Sequence, residues 1–219
     1  MATELVLVCH GEATVDVTGL VGGPRSCTGL TARGHQQTQL LAGRLAGPHA
    51  RTPFVACYTS PCRCAQDTAQ LIDAVLHLAP CCDDGIRGLD PGDADGQPRS
   101  AVEQAFGGPP ETRPDDALAA GAETWHQYLR RATTALGNLH RRHRGGGRIL
   151  IVGHPETVVA CHVWLLGLPA DVRAGLRFRS DPTGITRWGK DHDAFGSAVW
   201  TLLCHNDLAH LRGQPPEPA

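Results

Sequence analysis

The chain lacks any long apolar run. Its longest runs, such as residues 5–9 and 149–152, fall far short of the ~20 residues that a membrane-spanning helix needs. It also lacks a strong net charge, because 20 Lys and Arg residues face 22 Asp and Glu residues, giving a formal charge of -2. That balance gives no electrostatic reason to expect nucleic acid or an anionic membrane as a partner. We therefore predict neither.

The first residues, MATELVLV, contain an acid and no basic segment, which is not typical of a signal peptide. Nine cysteines are present, an odd number with scattered spacing. In a chain with no export signal this predicts reduced thiols in the cytoplasm. We find no internal repeat and no dividing linker, and 219 residues suit one large domain. The prediction is a single domain over residues 1–212 with a disordered tail over residues 213–219.

Apolar periodicity predicts strands alternating with helices. Strands are predicted over residues 4–8, 54–58, 149–152, 184–188 and 198–204, and helices over 31–46, 62–78, 123–143 and 157–166. Ser60 is predicted to cap the second of these helices, with Pro61 at its first position. The Gly/Pro/Asp-rich residues 83–114 are predicted to be a loop with one short helix near 101–106.

This alternation predicts an α/β fold, a three-layer sandwich whose mostly parallel sheet carries helices on both faces. Sites in such sheets collect at the carboxyl ends of the strands. His10 and His154 each directly follow a predicted strand. We therefore expect the two imidazoles to share one site.

Five ordered motifs resemble the histidine phosphatase (phosphoglycerate mutase-like) superfamily. They are LVLVCHGEAT at the first strand, the helix start at residues 30–34, the segment YTSPCRCAQDTA at residues 58–69, ILIVGHPETV at the later strand, and NDLAHL at residues 206–211. Each motif alone is weak evidence, but five in sequence are typical of that fold. Because fold does not fix function, the site is interpreted residue by residue.

The resemblance implies that the first histidine attacks phosphorus, assisted by arginines, the second histidine and a carboxylic acid. The predicted catalytic residues are His10, Glu12, Arg63 and His154. The predicted substrate-binding residues are Cys9, Gly11, Arg25, Asp90 and Glu156. No cofactor and no metal are predicted, and the expected ligand is a small anionic molecule.

Three departures from the family pattern weaken the expected phosphatase chemistry. Cys9 stands where the family has an arginine, so charge-assisted bonds of ~1.5–3 kcal/mol each are lost. Gly88 aligns with the catalytic glutamate, and general acid catalysis is typically worth ~10²–10⁴-fold. Glu156 follows the second histidine, where it either repels phosphate from the pocket or only favours the dipole of the next helix.

These departures leave several functions open. The leading hypothesis is a repurposed enzyme that uses His10 and His154 for acid–base chemistry, such as cyclisation, dehydration, isomerisation or hydrolysis. A second is residual phosphomonoesterase activity through a phosphohistidine at His10, with Arg25 and Asp90 standing in for the lost groups. A third is a non-catalytic pseudophosphatase that only binds a ligand or partner.

Two further alternatives concern Cys9. Together with His10 and His154 it forms a soft ligand set suited to zinc or copper, although neither that set nor the pairs Cys62/Cys64 and Cys81/Cys82 has a local metal-binding spacing. As a nucleophile, Cys9 would need a neighbour that lowers its pKa. A homodimer would pair through the region of Trp188 and Trp200 if that region is exposed.

Overall fold

The computed structural model describes residues 3–169 and 177–212. Within them the sheet has six strands: β1 (Thr3–Cys9), β2 (Phe54–Thr59), β3 (Cys81–Cys82), β4 (Gly147–Gly153), β5 (Ile185–His192) and β6 (Ala198–Asp207). Their order across the sheet is β3-β2-β4-β1-β5-β6. The first four are parallel, whereas β5 and β6 are each antiparallel to their neighbours. The prediction of a mostly parallel sheet is confirmed.

The described residues also form six α-helices. They are α1 (Thr14–Val17), α2 (Ala32–Arg51), α3 (Arg63–Leu76), α4 (Arg99–Phe106), α5 (Trp125–Arg142) and α6 (Pro155–Leu166). Threonine side chains cap the N-termini of the two longest of these helices. The Thr31 hydroxyl accepts a hydrogen bond from the Gly34 amide at α2, and the Thr124 hydroxyl accepts one from the Gln127 amide at α5.

The alternation of side chains along β1 divides the core between two faces. Leu5 and Leu7 join the apolar cluster formed with α5 and α6. Val6 and Val8 point the opposite way, into the cluster formed with α2 and α3. Helices therefore cover both faces of the sheet, and the three-layer prediction is confirmed.

The structure corrects several predicted boundaries. The helix expected over residues 31–46 continues to Arg51, and the short strand β3 was not predicted. The predicted loop over residues 83–114 does contain one α-helix, α4. The predicted tail at residues 213–219 lies outside the described residues.

Trp188 and Trp200 do not form an exposed pair. Trp188 is 3% exposed within the core, and Trp200 is partly buried against the same cluster. Pairing of two chains through this region was expected only if it is exposed, and Trp188 is not exposed. Separately, no helix in residues 3–169 and 177–212 is long and apolar enough to cross a bilayer.

Candidate active site

Three parallel strand ends meet at the candidate site. His10 follows β1, His154 follows β4, and Ser60 follows β2. Because Cys9 pairs with Gly153 across β1 and β4, the two histidines leave the sheet side by side. Their ring centroids are 5.1 Å apart at an angle of 70°. The predicted meeting of the two imidazoles is thus observed.

The His10 ring is held in one orientation by the backbone that follows it. Its Nδ1 lies 2.7 Å from the Gly11 carbonyl oxygen. A carbonyl only accepts, so Nδ1 carries a proton, and in the neutral tautomer the lone pair is on Nε2. Gly11 permits this geometry because a Cβ there would lie 2.6 Å from the Gly34 carbonyl oxygen. Its amide is fixed in turn by Thr68 Oγ1 at 3.1 Å.

His154 is neutral at physiological pH. Burial, reinforced by the nearby His10 ring, lowers the pKa of His154 to about 3. Its Nε2 lies 2.8 Å from Ser60 Oγ, which also accepts the Cys62 amide hydrogen at 3.2 Å. The Ser60 hydroxyl can therefore donate its hydrogen to His154 Nε2. With Nε2 accepting, the proton of the neutral imidazole is on Nδ1. His154 therefore supplies a hydrogen bond but no positive charge.

The predicted helix cap at Ser60 is wrong. The residue before α3 is Cys62, and no side chain caps that helix. Ser60 lies one residue beyond β2, where its hydroxyl faces His154 instead. The Ser-Pro pattern resembled a helix start, and nothing in the sequence distinguished that role from a histidine partner.

Cys9 is a buried, protonated thiol. Its side chain is 2% exposed, and burial raises its pKa well above the ordinary value, with the Glu156 charge adding to the effect. A thiol in this state is a poor nucleophile. Cys64, rather than Cys9, brings a ligand atom within 4.8 Å of ligand nitrogens of His10 and His154, so the alternative of a soft ligand set that includes Cys9 is not supported.

Position 88 lies against the second histidine. A Cβ on Gly88 would be 3.5 Å from both Cγ and Cδ2 of the His154 ring, which is ordinary van der Waals contact. Glycine therefore leaves free space in the place where the family resemblance expects an acid.

A clamp missed by the sequence interpretation holds this loop. Arg131 on α5 donates to the carbonyl oxygens of Gly85 at 3.0 Å, Arg87 at 3.2 Å and Gly88 at 3.1 Å. The Glu123 carboxylate pairs with the same guanidinium at 2.6 Å. No local spacing signals this arrangement, because the loop lies more than 40 residues earlier in the chain.

The other predicted site residues divide into two groups. Arg63, Asp90 and Glu156 line the cavity together with His10. Arg63 is 65% exposed and pairs through Nε with Asp67 at 2.7 Å. Asp90 accepts the Gly92 amide hydrogen at 3.0 Å, a loop contact.

Arg25 and Glu12 lie elsewhere and are not among the described residues that line the cavity. Arg25 donates to the Gly92 carbonyl oxygen at 3.0 Å and faces the Asp95 carboxylate at 3.5 Å. Glu12 accepts the Thr31 hydroxyl hydrogen at 2.6 Å, at the start of α2. The structure therefore does not bring Arg25 to the position vacated by the missing arginine.

The histidines open into a cavity of about 920 Å³. Among the described residues its lining holds three arginines, Arg63, Arg87 and Arg99, and six acids, Asp16, Asp84, Asp90, Glu103, Glu111 and Glu156. Arg87 is paired with Asp84 at 2.6 Å. The lining thus carries more negative than positive formal charge.

Three cysteines gather beside the histidines, on the same cavity wall. The Sγ atoms of Cys27, Cys62 and Cys64 all lie within 4.8 Å of one another, and those of Cys62 and Cys64 are 3.8 Å apart. Hydrogen bonds from Cys62 and Cys64 hold the pKa of Cys27 well below the ordinary thiol value. The pair Cys62/Cys64 has no local metal-binding spacing in the sequence, and the fold adds Cys27, which is 35 residues before Cys62, to form the group.

The comparisons with known proteins agree with this geometry. A family model described as "Histidine phosphatase superfamily (branch 1)" matches residues 5–202. The chain therefore belongs to that superfamily. No curated protein sequence matches it.

Solved structures share the fold at low sequence identity. A mycobacterial glucosyl-3-phosphoglycerate phosphatase is 21% identical with a TM-score of 0.78, and the match covers 94% of this chain and 99% of that one. A phosphoserine phosphatase mutant of Entamoeba histolytica, in complex with phosphoserine, is 21% identical with a TM-score of 0.75, covering 95% and 99%. A phosphoglycerate mutase of Bacillus anthracis is 18% identical with a TM-score of 0.74, covering 96% and 95%. At such identities the likeness shows the fold alone.

Proposed function

We propose that this chain is a divergent histidine-phosphatase-fold enzyme in which His10 Nε2 acts as a general base, and that phosphomonoesters are poor substrates. The observation that carries the proposal is the bond from His10 Nδ1 to the Gly11 carbonyl oxygen, 2.7 Å long. It leaves an unprotonated Nε2 on an imidazole that lines the cavity. A neutral imidazole with an oriented lone pair is suited to remove a proton.

The charges around His10 disfavour a doubly charged phosphoryl group. Transfer of such a group depends mostly on positioning and cationic stabilisation. Here a protonated thiol occupies position 9, and His154 is neutral because burial lowers its pKa to about 3. The carboxylates of the lining repel a dianion further. The proposed poor turnover of phosphomonoesters thus has three separate physical grounds.

The same charges favour a small zwitterionic metabolite. Arg63 on the cavity wall suits one carboxylate or other single anion. The facing acids, Asp90 and Glu156 among them, suit ammonium or hydroxyl donors. Cyclisation, dehydration, isomerisation and hydrolysis can each begin with proton removal by His10, with His154 donating a hydrogen bond. A reducing cytoplasm completes the proposal, since all nine cysteines are free thiols.

A second candidate is a slow phosphomonoesterase that forms a phosphohistidine at His10. It is favoured by one observation: the proton on His10 Nδ1 leaves Nε2 unprotonated, which is also the state required of a nucleophile. Arg63 would then be the main cation available to the transferring group.

Thermal shift measurements with three compound classes test the leading proposal. Small zwitterions and monocarboxylates are expected to raise Tm, because a ligand bound only by the folded state stabilises it. Phosphomonoesters at equal concentration are not expected to raise Tm. Arg63→Gln is expected to abolish the shift, and its exposed position makes misfolding no obstacle. Arg141→Gln, on the exposed surface of α5, is the matched control.

Rapid-quench trapping separates the two candidates. The parent and His10→Ala are mixed with an activated phosphoester, and the digested chain is searched for phosphohistidine. Little or no adduct is expected from the parent. A stoichiometric adduct at His10 with fast turnover would overturn the leading proposal in favour of the second.

A further inference from the structure

We propose that Cys27, Cys62 and Cys64 bind one thiophilic metal ion, Zn²⁺ or Cu⁺, on the wall of the cavity beside His10. Its three ligands are thiols that the proton chemistry of His10 does not use, so the inference does not rest on the proposed function.

The sulfur spacing fits one shared ion. Two thiolates bound tetrahedrally to zinc at ~2.3 Å lie about 3.8 Å apart. Cys62 Sγ and Cys64 Sγ are 3.8 Å apart, and Cys27 Sγ lies within 4.8 Å of both. Only a small movement of Cys27 is then required to close a three-sulfur set. This is the ligand chemistry that soft metals select.

The surroundings of the thiols favour metal binding. Cys27 and Cys64 are buried in a small apolar cluster with Ala13 and Val15, which limits the contact of their sulfurs with water. Cys62 and Cys64 lie at the start of the 14-residue helix α3, whose positive dipole end favours negative charge on a metal-bound sulfur. An ion binding here displaces the remaining thiol protons to solvent, with no change of oxidation state.

The loop that carries Cys27 is held in place by backbone contacts. The Cys27 amide donates to the Gly23 carbonyl oxygen at 3.0 Å. The Arg25 and Ser26 amides both donate to the Asp95 carboxylate, at 2.8 and 3.1 Å. The third ligand is therefore positioned before any ion binds, and the ordering cost of assembling the site is reduced.

Three protein ligands leave a fourth coordination position. Cys64 Sγ also lies within 4.8 Å of ligand nitrogens of His10 and His154, so that position is on the histidine side of the cluster. A water, a substrate atom or an imidazole would complete a tetrahedron there. Metal loading is thus expected to alter access to His10.

Direct metal analysis tests the site. The full chain is purified without an affinity tag under a thiol reductant, and zinc and copper are measured by mass spectrometry of the elements. The reduced, metal-free chain is then titrated with Cd²⁺ while the thiolate-to-metal charge-transfer absorption is recorded. We expect an endpoint of one ion per chain, with three thiols protected from a thiol-modifying reagent.

Cysteine variants locate the ion. Cys62→Ser and Cys27→Ser are each expected to weaken Cd²⁺ binding by at least about 100-fold, since loss of an outer-shell partner alone costs 10–100-fold. Serine is a preferred helix cap, so Cys62→Ser preserves the start of α3. The control is Cys81→Ser with Cys82→Ser, which removes two exposed thiols and is expected to change nothing.

The readout does not depend on catalysis, so failure of the proposed function leaves this test intact. Absence of the charge-transfer band in the reduced parent would refute the site. So would unchanged Cd²⁺ affinity in both Cys27→Ser and Cys62→Ser, or loss of binding in the Cys81/Cys82 control alone.

Discussion

Replacing Gly88 with glutamate is expected to restore a proton donor for phosphoester cleavage. The Cβ would contact the His154 ring at 3.5 Å without a clash, so the carboxyl group enters the cavity rather than displacing the loop. Nearby carboxylates and burial would raise the pKa of the new Glu carboxyl, which keeps part of it protonated near neutral pH. The Gly88→Glu variant thus adds the one group needed to protonate a departing oxygen.

The size of the gain depends on the leaving group. General acid catalysis contributes ~10²–10⁴-fold, or about 3–5 kcal/mol in the activation barrier. An alkyl phosphate, whose alkoxide is a poor leaving group, is expected to gain about 100-fold in kcat/KM. p-Nitrophenyl phosphate, whose phenolate leaves readily without a proton, is expected to gain less than about 3-fold. The ratio between the two esters therefore reports the acid itself.

The assay compares Gly88→Glu with Gly88→Gln, which matches it in size but offers no acidic proton. His10→Ala in the Gly88→Glu background serves as the chemical blank. Equal gains for both esters, or an equal gain with glutamine, would refute the reasoning. Brisk alkyl phosphate turnover by the unmodified chain would refute it as well, since Asp90 or another group would then already supply the proton.

Other substitutions probe the framework of the site. Arg131→Met leaves the Glu123 carboxylate without its guanidinium and frees three loop carbonyls, so the free energy of unfolding in urea should fall by about 3–5 kcal/mol. Gly11→Ala forces a Cβ to 2.6 Å from the Gly34 carbonyl oxygen and should destabilise by more than about 2 kcal/mol in the same assay. Burial and the neighbouring His205 lower the pKa of His162 to about 4, so the unfolded chain binds its proton first as pH falls below 6.5. Stability should then drop by up to about 1.4 kcal/mol per pH unit between pH 6.5 and 4, and His162→Gln should remove that share of the slope.

Each framework prediction has its own control and its own refuting result. Arg130→Met alters an exposed neighbour of the clamp and should change stability by less than about 0.5 kcal/mol. A similar loss in both arginine variants would argue against the clamp. Gly43→Ala, on α2 where a Cβ meets nothing within 4 Å, should stabilise by up to about 1 kcal/mol. If Gly11→Ala behaves like Gly43→Ala, the close approach at Gly11 is wrong. An identical acid slope in the parent and His162→Gln would contradict the assignment to that residue.

Buried strands and amphipathic helices were the features that the sequence predicted well. Residues 5–9 of β1 and 149–152 of β4 are continuous apolar runs because helices cover both faces of the sheet, so the sequence alone predicts buried strands there. Parallel neighbours bring their carboxyl ends together, so the sequence alone predicts His10 beside His154, as the pairing of β1 with β4 confirms.

Long-range loop contacts were not predictable from the sequence. Ser60 fitted a helix cap as well as it fits a histidine partner, because both roles require only a hydroxyl near a strand end. The contacts of Arg131 with Gly88 and of Cys27 with Cys62 join residues that are dozens of positions apart in the sequence. Local periodicity does not predict such contacts. Arg25 does not act as a substitute cation because its guanidinium contacts another loop, 67–70 residues later in the chain, through the Gly92 carbonyl oxygen and the Asp95 carboxylate.

Among the described residues, the guanidinium of Arg131 donates hydrogen bonds to backbone carbonyl oxygens of the loop at residues 85–88 and to none of its side chains. The position of residue 88 is consequently fixed through its backbone carbonyl and does not depend on its side chain. A different amino acid introduced there would place its Cβ at the same position beside the His154 ring. We therefore expect the acid–base character of this part of the cavity to depend on the identity of one residue, with the surrounding loop left in place.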